Sequence, residues 1–381
     1  MQQKFFQAFR EEVLCAKKID GVLVTSPANM RACSGFCGEG LVFLSERQRF
    51  VFTDSRYTEA AKKECPGFEI FCFQGNIYEV WLDVLMKKMG DGIRFGAAIG
   101  YEDAHMTVQG YHTIKALLKK KKLDVSLVPL HERLSALRQV KRRDEVRKIT
   151  QAEKIGDETF SKVLVWLSEC MKKGEMPTEK QLAAYIEFTM RELGADGTSF
   201  DTIAASGLHS SMPHAVPTDK VLQDGDLVTM DFGCKVEGYC SDMTRTIVVG
   251  EASEKQREIY DVVLRAQEAA LKMIRSGLKG CEVDEAARRV INKAGYEGCF
   301  GHSLGHSVGL EIHEKPCFAR TDESILRPGM VITVEPGIYK KGFGGVRIED
   351  VVVITKNGCR NLTHSPKELI ELKADFVPQD I

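Results

Sequence analysis

The sequence lacks a CxxC pair, a long apolar run and an excess of charge of either sign. Twelve cysteines are scattered through 381 residues, which argues against a zinc knuckle or a thioredoxin-type site. A membrane-spanning helix needs about 20 consecutive apolar residues, and no run in the sequence approaches that length. Because 53 Lys and Arg balance 54 Asp and Glu, the composition implies neither a nucleic acid nor a membrane partner.

The N-terminal segment also lacks the features of a secretory signal. It reads MQQKFFQAFREEVLCAKKID, with charges throughout, and predicts an amphipathic helix. We therefore expect a cytoplasmic protein whose thiols are reduced and mostly buried.

The length predicts two domains. Short β-branched or aromatic runs at 21–25, 41–44 and 49–53 predict strands, and the patterns at 57–63 and 77–89 predict helices. This alternation is typical of a small α/β domain. We place the first domain at residues 1–132 and the second at 133–381.

The second domain contains the same order of elements twice. Apolar spacing from residue 146 to 167 predicts a long helix, and a second helix at 178–193 begins at a Thr cap. A capping box at Ser253 and Gln256 predicts a third helix that runs to Ser276, and 283–294 predicts a fourth. Residues 146–250 and 253–355 thus share the plan helix, helix, histidine loop, hairpin. Two copies facing each other would bring both hairpins to one central site.

The first hairpin carries two aspartates, Asp231 and Asp242. If its turn centres on Val236 and Glu237, the two side chains face each other, about 4.5–5.5 Å apart between Cβ atoms. The alternative is a slipped register that leaves one carboxylate in solvent. The hairpin alone does not decide between them.

The second hairpin, 331–355, carries Glu335 and Glu349, which are symmetric about Gly342. Each lies among apolar β-formers, where an unpaired charge would cost several kcal/mol. Four converging carboxylates repel one another unless cations neutralise them. Two divalent metal ions are the simplest solution.

Histidines lie next to both hairpins. His214 follows the second helix, and 301–314 contains His302, His306 and His313. A single loop histidine is usually structural, but five of the nine histidines fall within 209–313. The pattern is not HExxH. Oxygen ligands with one imidazole favour Mn²⁺, with Co²⁺, Fe²⁺ or Zn²⁺ as alternatives.

Together these motifs resemble the pita-bread metallopeptidases (peptidase family M24), in the branch of Xaa-Pro aminopeptidases and prolidases. The resemblance covers the whole chain and rests on DFGCKVEGYCSDMTRT, GHSLGHSVGLEIHE, VEPGIY and GGVRIED. It implies an α/β N-terminal domain and an α+β pita-bread catalytic domain, a curved antiparallel sheet flanked by helices in a pseudo-two-fold repeat.

The resemblance also implies the residues of the site. It implies five ligands for two metal ions: Asp231, Asp242, His306, Glu335 and Glu349. His214 and His313 would bind substrate and stabilise the tetrahedral intermediate, Glu335 would relay a proton, and His302 and Arg347 would support the ligands. The family resemblance further implies a homodimer.

The expected function is hydrolysis of the Xaa-Pro bond by a metal-bridging hydroxide, with release of the N-terminal residue from peptides that have proline second. The alternative is a strict Xaa-Pro dipeptidase, a prolidase. Microbial prolidases of this type tend to have HEWPR, whereas this chain has HEKPC, and the thiol of Cys317 cannot pair with a carboxylate as a guanidinium does.

A second departure is NMRACSGF at 29–36, which leaves substrate length open. Two further alternatives are a non-catalytic peptide-binding protein of the same fold and an enzyme acting on a non-peptide substrate.

Overall fold

The computed structural model describes residues 2–89 and 95–377, so residues 1 and 381, the outer limits of the predicted domains, lie outside the described residues. The chain forms two compact units, residues 1–138 and 139–381. The boundary between 132 and 133 stays a prediction. Within the described residues, no helix has the length and apolarity needed to cross a membrane.

The first unit is built around one mixed sheet. Its strands are β1 (Gly21–Val24), β2 (Gly40–Ser45), β3 (Arg49–Thr53), β4 (Glu69–Cys72), β5 (Phe95–Tyr101) and β6 (Asp124–Pro129). Their order in the sheet is β4-β3-β2-β1-β5-β6. The strands and helices predicted at 21–25, 41–44, 49–53, 57–63 and 77–89 are confirmed.

Helices cover both faces of this sheet. They are α1 (Gln2–Ala8), which continues as wider π-helical turns over Phe9–Cys15, then α2 (Pro27–Ser34), α3 (Thr58–Glu64), α4 (Ile77–Met89), α5 (Val108–Lys120) and α6 (Arg133–Ala136). Val22 and Val24 of β1 lie in one apolar cluster and Leu23 lies in the other. This alternation follows from the two-residue period of a strand and gives the unit a core on each side.

The second unit contains four long helices: α7 (Arg143–Lys173), α8 (Glu179–Glu192), α9 (Glu254–Met273) and α10 (Gly280–Lys293). The capping boxes at Thr178 and Ser253 are confirmed. Helix α9 ends before the predicted Ser276, because Ile274 takes an extended conformation (φ −56°, ψ 124°) and is buried in the core.

The strands of the second unit are mostly antiparallel. They are β7 (Gly197–Thr198), β8 (Ile203–Ser206), β9 (Leu227–Phe232), β10 (Cys234–Val236), β11 (Tyr239–Cys240), β12 (Met243–Val249), β13 (Gly305–Ser307), β14 (Glu314–Phe318), β15 (Val331–Val334), β16 (Gly337–Lys340), β17 (Gly344–Arg347), β18 (Asp350–Ile354), β19 (Cys359–Asn361) and β20 (Glu371–Leu372). The two larger sheets have the orders β20-β12-β9-β8 and β14-β13-β15-β18-β19.

Each half of this unit has its own apolar core. Helices α7 and α8 bury residues such as Phe160 and Leu182 against Met230 of β9. Helices α9 and α10 bury residues such as Val263 against Ile332 of β15. The predicted order of helix, helix, histidine loop and hairpin is therefore confirmed in both halves.

The predicted register of the first hairpin is wrong. Asp231 pairs with Thr244, not with Asp242, because the two-residue turn lies at Glu237 and Gly238. Both turn residues have positive φ, 44° and 72°, the geometry that suits a tight hairpin. The shift of two residues preserves the face of each strand, so both aspartates still point to the same side.

The register predicted for the second hairpin is confirmed. Val334 pairs with Asp350 and Gly337 pairs with Arg347, so Glu335 and Glu349 lie at symmetric positions between these pairs. In both hairpins, therefore, the strands leave one sheet and join another close to their acidic residues.

The break in the first hairpin depends on Gly233, which lies between β9 and β10. A Cβ atom at this position would lie 2.0 Å from the carbonyl oxygen of Ser241, a backbone atom that cannot move aside cheaply. We expect Gly233→Ala to lower the free energy of unfolding by about 1–3 kcal/mol through this overpacking. Urea unfolding of the purified protein measures the shift.

Gly301→Ala is the matched control, because no heavy atom outside the adjacent residues lies within 4 Å of its Cβ position. We expect its free energy of unfolding to stay within about 0.5 kcal/mol of the parent value. Equal midpoints for the two variants would contradict the packing argument.

Candidate metal centre

The acidic residues of the two hairpins meet where their strands change sheets. Asp242 directly precedes β12 and Glu349 directly precedes β18. The two hairpins are joined here by a backbone hydrogen bond, 3.1 Å long, from the amide of Glu349 to the carbonyl of Thr244. Asp242 is 4% exposed and Glu349 is 1% exposed, so both carboxylates are removed from water.

His306 of β13 completes a compact cluster with these two carboxylates. Asp242, His306 and Glu349 each offer a ligand atom, and these atoms lie within 4.8 Å of one another. His306 Nε2 lies 3.5 Å from Asp242 Oδ2 and 3.5 Å from Glu335 Oε1. The separations are too long for good hydrogen bonds but suit groups that share a cation.

Asp231 reaches the cluster through Arg347. The buried guanidinium of Arg347 donates from Nη2 to Asp231 Oδ2 at 2.6 Å. Its Nε donates to the hydroxyl of Thr244 at 3.0 Å, and that hydroxyl donates to Glu349 Oε2 at 2.6 Å. One arginine thus orients a carboxylate from each hairpin.

The carboxyl groups of the cluster disfavour ionisation in one another's presence. Burial raises the pKa of Asp242, and the charges of Glu349 and Asp231 raise it further. Burial likewise raises the pKa of Glu349 and, to about 8, that of Glu335. Uncompensated negative charge is therefore the dominant electrostatic feature of the site.

Two oxygen atoms in the cluster show that it fits cations. Asp231 Oδ1 and Glu349 Oε1 are buried and accept no hydrogen bond. A buried carboxylate oxygen without a partner is costly in a native protein. A divalent ion would supply both the missing partner and the missing positive charge, and oxygen donors with one imidazole suit such an ion.

His302 borders the cluster and is held from both sides of its ring. Its Nδ1 lies 2.8 Å from the carbonyl oxygen of Ser303, and its Nε2 lies 2.9 Å from the hydroxyl of Tyr339. Burial and the charge of Arg347 lower the pKa of His302 to about 4, so the ring is neutral near pH 7. The Tyr339 hydroxyl also accepts from Arg347 Nη1 at 2.7 Å.

The remaining two predicted histidines are exposed at the edge of the cluster. The ring of His313 packs edge-on against that of His306, with 4.5 Å between centroids. Burial and, to a smaller extent, the neighbouring His313 lower the pKa of His306 to about 4. His214 lies in the loop whose Pro213 carbonyl accepts from Arg347 Nη1 at 3.4 Å. Their exposure leaves both rings accessible to a ligand.

The structure therefore brings all the predicted site residues into one region. Their individual roles stay predictions. Sequence reasoning missed four supporting residues: Thr244, Thr333, Tyr339 and Glu153.

Two of these could have been found from the strand period. Thr244 lies two residues after Asp242, and Thr333 lies two residues before Glu335, so each shares a face with an acidic residue. The Thr333 hydroxyl accepts from the His306 amide at 3.0 Å and donates to Glu335 Oε1 at 3.1 Å. Glu153 of α7 accepts from the Asp242 amide at 3.0 Å, a contact 89 residues apart in sequence that no local pattern indicates.

Comparison with known proteins identifies both units. Residues 8–140 match the model of the creatinase/prolidase N-terminal domain, and residues 147–356 match that of metallopeptidase family M24. The predicted fold class, an α/β N-terminal domain followed by an α+β pita-bread catalytic domain, is confirmed.

Relatives match over nearly the whole chain. An uncharacterized peptidase of Bacillus subtilis, YqhT, is 45% identical over 355 residues, which are 93% of this chain and 96% of that protein. The structure of an Xaa-Pro dipeptidase from Bacillus anthracis has a TM-score of 0.87 and 39% identity, covering 97% of this chain and 98% of the other. The structure of an X-Pro aminopeptidase from Thermotoga maritima has a TM-score of 0.83 and 36% identity, covering 93% and 98%. The chain therefore belongs to metallopeptidase family M24.

Proposed function

We propose that this protein is a metal-dependent peptidase that hydrolyses the Xaa-Pro bond and releases the N-terminal residue from peptides with proline in second position. The observation that carries the proposal is the buried cluster of Asp242, His306 and Glu349, with Glu335 and Asp231 beside it. The dipeptidase and aminopeptidase among the matched structures support the choice of substrate.

Five residues would hold the metal ions: Asp231, Asp242, His306, Glu335 and Glu349. Two divalent cations bound there would lower the pKa of a coordinated water and polarise the scissile carbonyl. We propose Mn²⁺, because the donor set is oxygen-rich with one imidazole.

The other residues of the site act on the substrate. Glu335 would pass a proton to the proline nitrogen that leaves. Its Oε1 lies 3.5 Å from His306 Nε2 and its Oε2 lies 3.9 Å from His302 Nδ1. The exposed rings of His214 and His313 would donate hydrogen bonds to the oxygen on which negative charge develops. Arg347 orients Asp231 through the hydrogen bond from its Nη2.

Substrate length is decided near Cys317. This residue pairs with His306 across strands β13 and β14 and is half-buried. A guanidinium here could bind the carboxylate of a dipeptide, whereas a thiol cannot. A strict dipeptidase is the second candidate function, and the Xaa-Pro dipeptidase from Bacillus anthracis among the matched structures favours it. In that case an arginine at another position of the chain would bind the carboxylate of the dipeptide.

We also propose a cytoplasmic location and a homodimer. A cytoplasmic location would keep the cysteines reduced. The expectation that most of them are buried is wrong, because only Cys33, Cys65, Cys234 and Cys240 of the twelve are buried. The dimer rests on the family resemblance alone, and size-exclusion chromatography with light scattering measures it.

The first test compares Ala-Pro with Ala-Pro-Ala as substrates, before and after chelation. We expect hydrolysis of Ala-Pro-Ala at its Ala-Pro bond, loss of activity with the chelator and recovery with added Mn²⁺, together with two metal ions per chain by mass spectrometry. Two bound ions without hydrolysis of either peptide would contradict the peptidase proposal. Hydrolysis of Ala-Pro alone would select the dipeptidase.

The second test removes one ligand. We expect Asp242→Ala to lose bound metal and to lower kcat/KM by at least about a hundredfold, while the far-UV circular dichroism stays that of the parent. The Asp242 side chain makes no hydrogen bond that the fold would miss, because the contact to Glu153 comes from its backbone amide.

The matched control is Asp157→Asn. The carboxylate of Asp157 is buried and accepts from the amides of His364 and Ser365, neither of which is a proposed ligand. We expect this variant to keep its metal. Unchanged metal content in Asp242→Ala would remove Asp242 from the ligand set.

The third test concerns Cys317. We expect Cys317→Arg to raise the ratio of kcat/KM for Ala-Pro to that for Ala-Pro-Ala by about tenfold, the effect of one charge-assisted bond to the dipeptide carboxylate. Cys317→Ala is the control, and it should leave the ratio close to that of the parent. A ratio unchanged by arginine would mean that substrate length is decided elsewhere.

A further inference from the structure

A buried carboxylate lies under the loop that carries His214. We define the His214 loop as residues 207–217, between Ser206 of β8 and Thr218. Glu179, the first residue of α8, has a side chain that is 0% exposed, which is rare for a charged residue. Among the described residues, its side-chain hydrogen bonds go to Ser206, His209 and Thr218 rather than to the metal cluster.

Glu179 accepts hydrogen bonds from both ends of this loop. Its Oε1 accepts from the amide and the hydroxyl of Ser206, at 2.7 and 2.8 Å. Its Oε2 accepts from the amide and the hydroxyl of Thr218, at 3.0 and 2.7 Å. The same oxygen lies 2.8 Å from Nδ1 of His209, within the loop. One side chain therefore holds together the two ends of the loop and one residue inside it.

The carboxylate is ionised in the fold. Burial alone would raise the pKa of Glu179, but the hydrogen bonds from Thr218 and Ser206 outweigh it and lower the pKa below its ordinary value. Hydrogen bonds to a charged acceptor are about twice as strong as neutral ones.

Hydrogen bonds, more than apolar packing, hold this loop. Leu208, Met212 and Val216 are 64%, 51% and 76% exposed, so apolar burial contributes little to its geometry. Its middle is tied to β17 by the amide of Gly345, which donates to Ser210 Oγ at 2.9 Å, and by the long contact from Arg347 to Pro213.

The chain on either side of the loop is anchored without the carboxylate. Ser206 pairs with Val228 in the sheet. The amide of Lys180 donates to the carbonyl of Thr218 at 3.1 Å, and that of Glu179 donates to Lys220 at 3.0 Å. Removing the charge should therefore loosen the loop while the fold remains.

The second half of the unit uses a similar arrangement for His302. On α10, buried Asp284 pairs with Arg288 and accepts from the amide of Leu304 at 3.1 Å. Arg288 in turn donates to the carbonyl oxygens of Phe300 and His302, at 2.8 and 2.9 Å. In each half, the second helix supplies a buried carboxylate to the histidine loop.

We propose that Glu179 is a positioning residue for His214: it fixes the loop so that this ring faces the reacting carbonyl. The inference rests on the proposed function for its kinetic consequence, but its structural consequence can be measured independently. Glu179 itself does not touch the substrate.

The test is Glu179→Gln, which keeps the shape but replaces one acceptor oxygen by an NH₂ group that cannot accept from Thr218 or Ser206. We expect kcat for Ala-Pro-Ala to fall by about tenfold, corresponding to one lost charge-assisted hydrogen bond, with a smaller change in KM. The loss should appear in kcat because His214 acts on charge that develops during the reaction.

A double-mutant cycle with His214→Ala separates positioning from general destabilisation. If Glu179 acts through His214, the double variant Glu179→Gln/His214→Ala should be within about twofold of His214→Ala alone. Multiplicative losses would overturn the proposal.

Hydrogen–deuterium exchange gives a readout that needs no activity. We expect peptides covering 206–218 to exchange faster in Glu179→Gln, while those covering α8 and bound metal content stay at parent values. If exchange is faster in Glu179→Gln but the parent hydrolyses no Xaa-Pro bond, the proposed function is refuted. The inference that Glu179 holds the loop would still stand. Unchanged exchange would overturn the positioning role.

Asp157→Asn is the matched control, because it also removes a buried acceptor of amide and hydroxyl groups, here from Ser365. Its effect should be multiplicative with that of His214→Ala. If Glu179→Gln does not fold, Thr218→Val tests the same contact, since it keeps the side-chain shape and removes the hydroxyl bond to Oε2. It also removes the longer bond that the Lys220 amide donates to that hydroxyl. Additivity of Thr218→Val with His214→Ala would then count against the proposal.

Discussion

The mutual repulsion of buried carboxylates is the constraint on which the second unit depends. Asp231, Asp242, Glu335 and Glu349 are held together in an apolar setting, and the pKa values of the last three are raised because burial removes them from water and neighbouring carboxylates repel their charge. The surrounding fold tolerates this arrangement because each hairpin is backed by its own apolar core. A site that disfavours its own charge in this way is suited to divalent cations, as expected of a member of metallopeptidase family M24.

The supporting contacts follow the two-fold plan of the unit. In each hairpin a threonine two residues from an acidic residue donates its hydroxyl to a carboxylate of the cluster, Thr244 to Glu349 and Thr333 to Glu335. In each half the second helix places a buried carboxylate under the histidine loop. The halves differ in what they supply, since only the second contributes an imidazole to the compact cluster. The scaffold is thus repeated, while the side chains that it presents to the cluster differ between the halves.

Local sequence patterns predicted most elements because their causes are local. Helix starts at Thr178 and Ser253 follow from capping boxes, and the strands of the first unit follow from short β-branched and aromatic runs. The register predicted for the first hairpin was wrong because the position of the turn was inferred from the symmetry of the two aspartates. In the structure the turn residues, which have positive φ, are Glu237 and Gly238. The error did not affect the face of the aspartates, since a shift of two residues preserves the two-residue period.

By itself, the sequence determined which residues belong to the candidate site, because acidic residues inside apolar strands and histidines beside them are unusual wherever they occur. Only the tertiary structure decided how those residues are supported. Glu153, Arg347 and Glu179 act through contacts that join positions 27 to 116 residues apart. Such contacts depend on how helices pack against hairpins, and no local periodicity records that packing. The distances that make a cluster of carboxylates a metal site therefore arise only when both halves are folded.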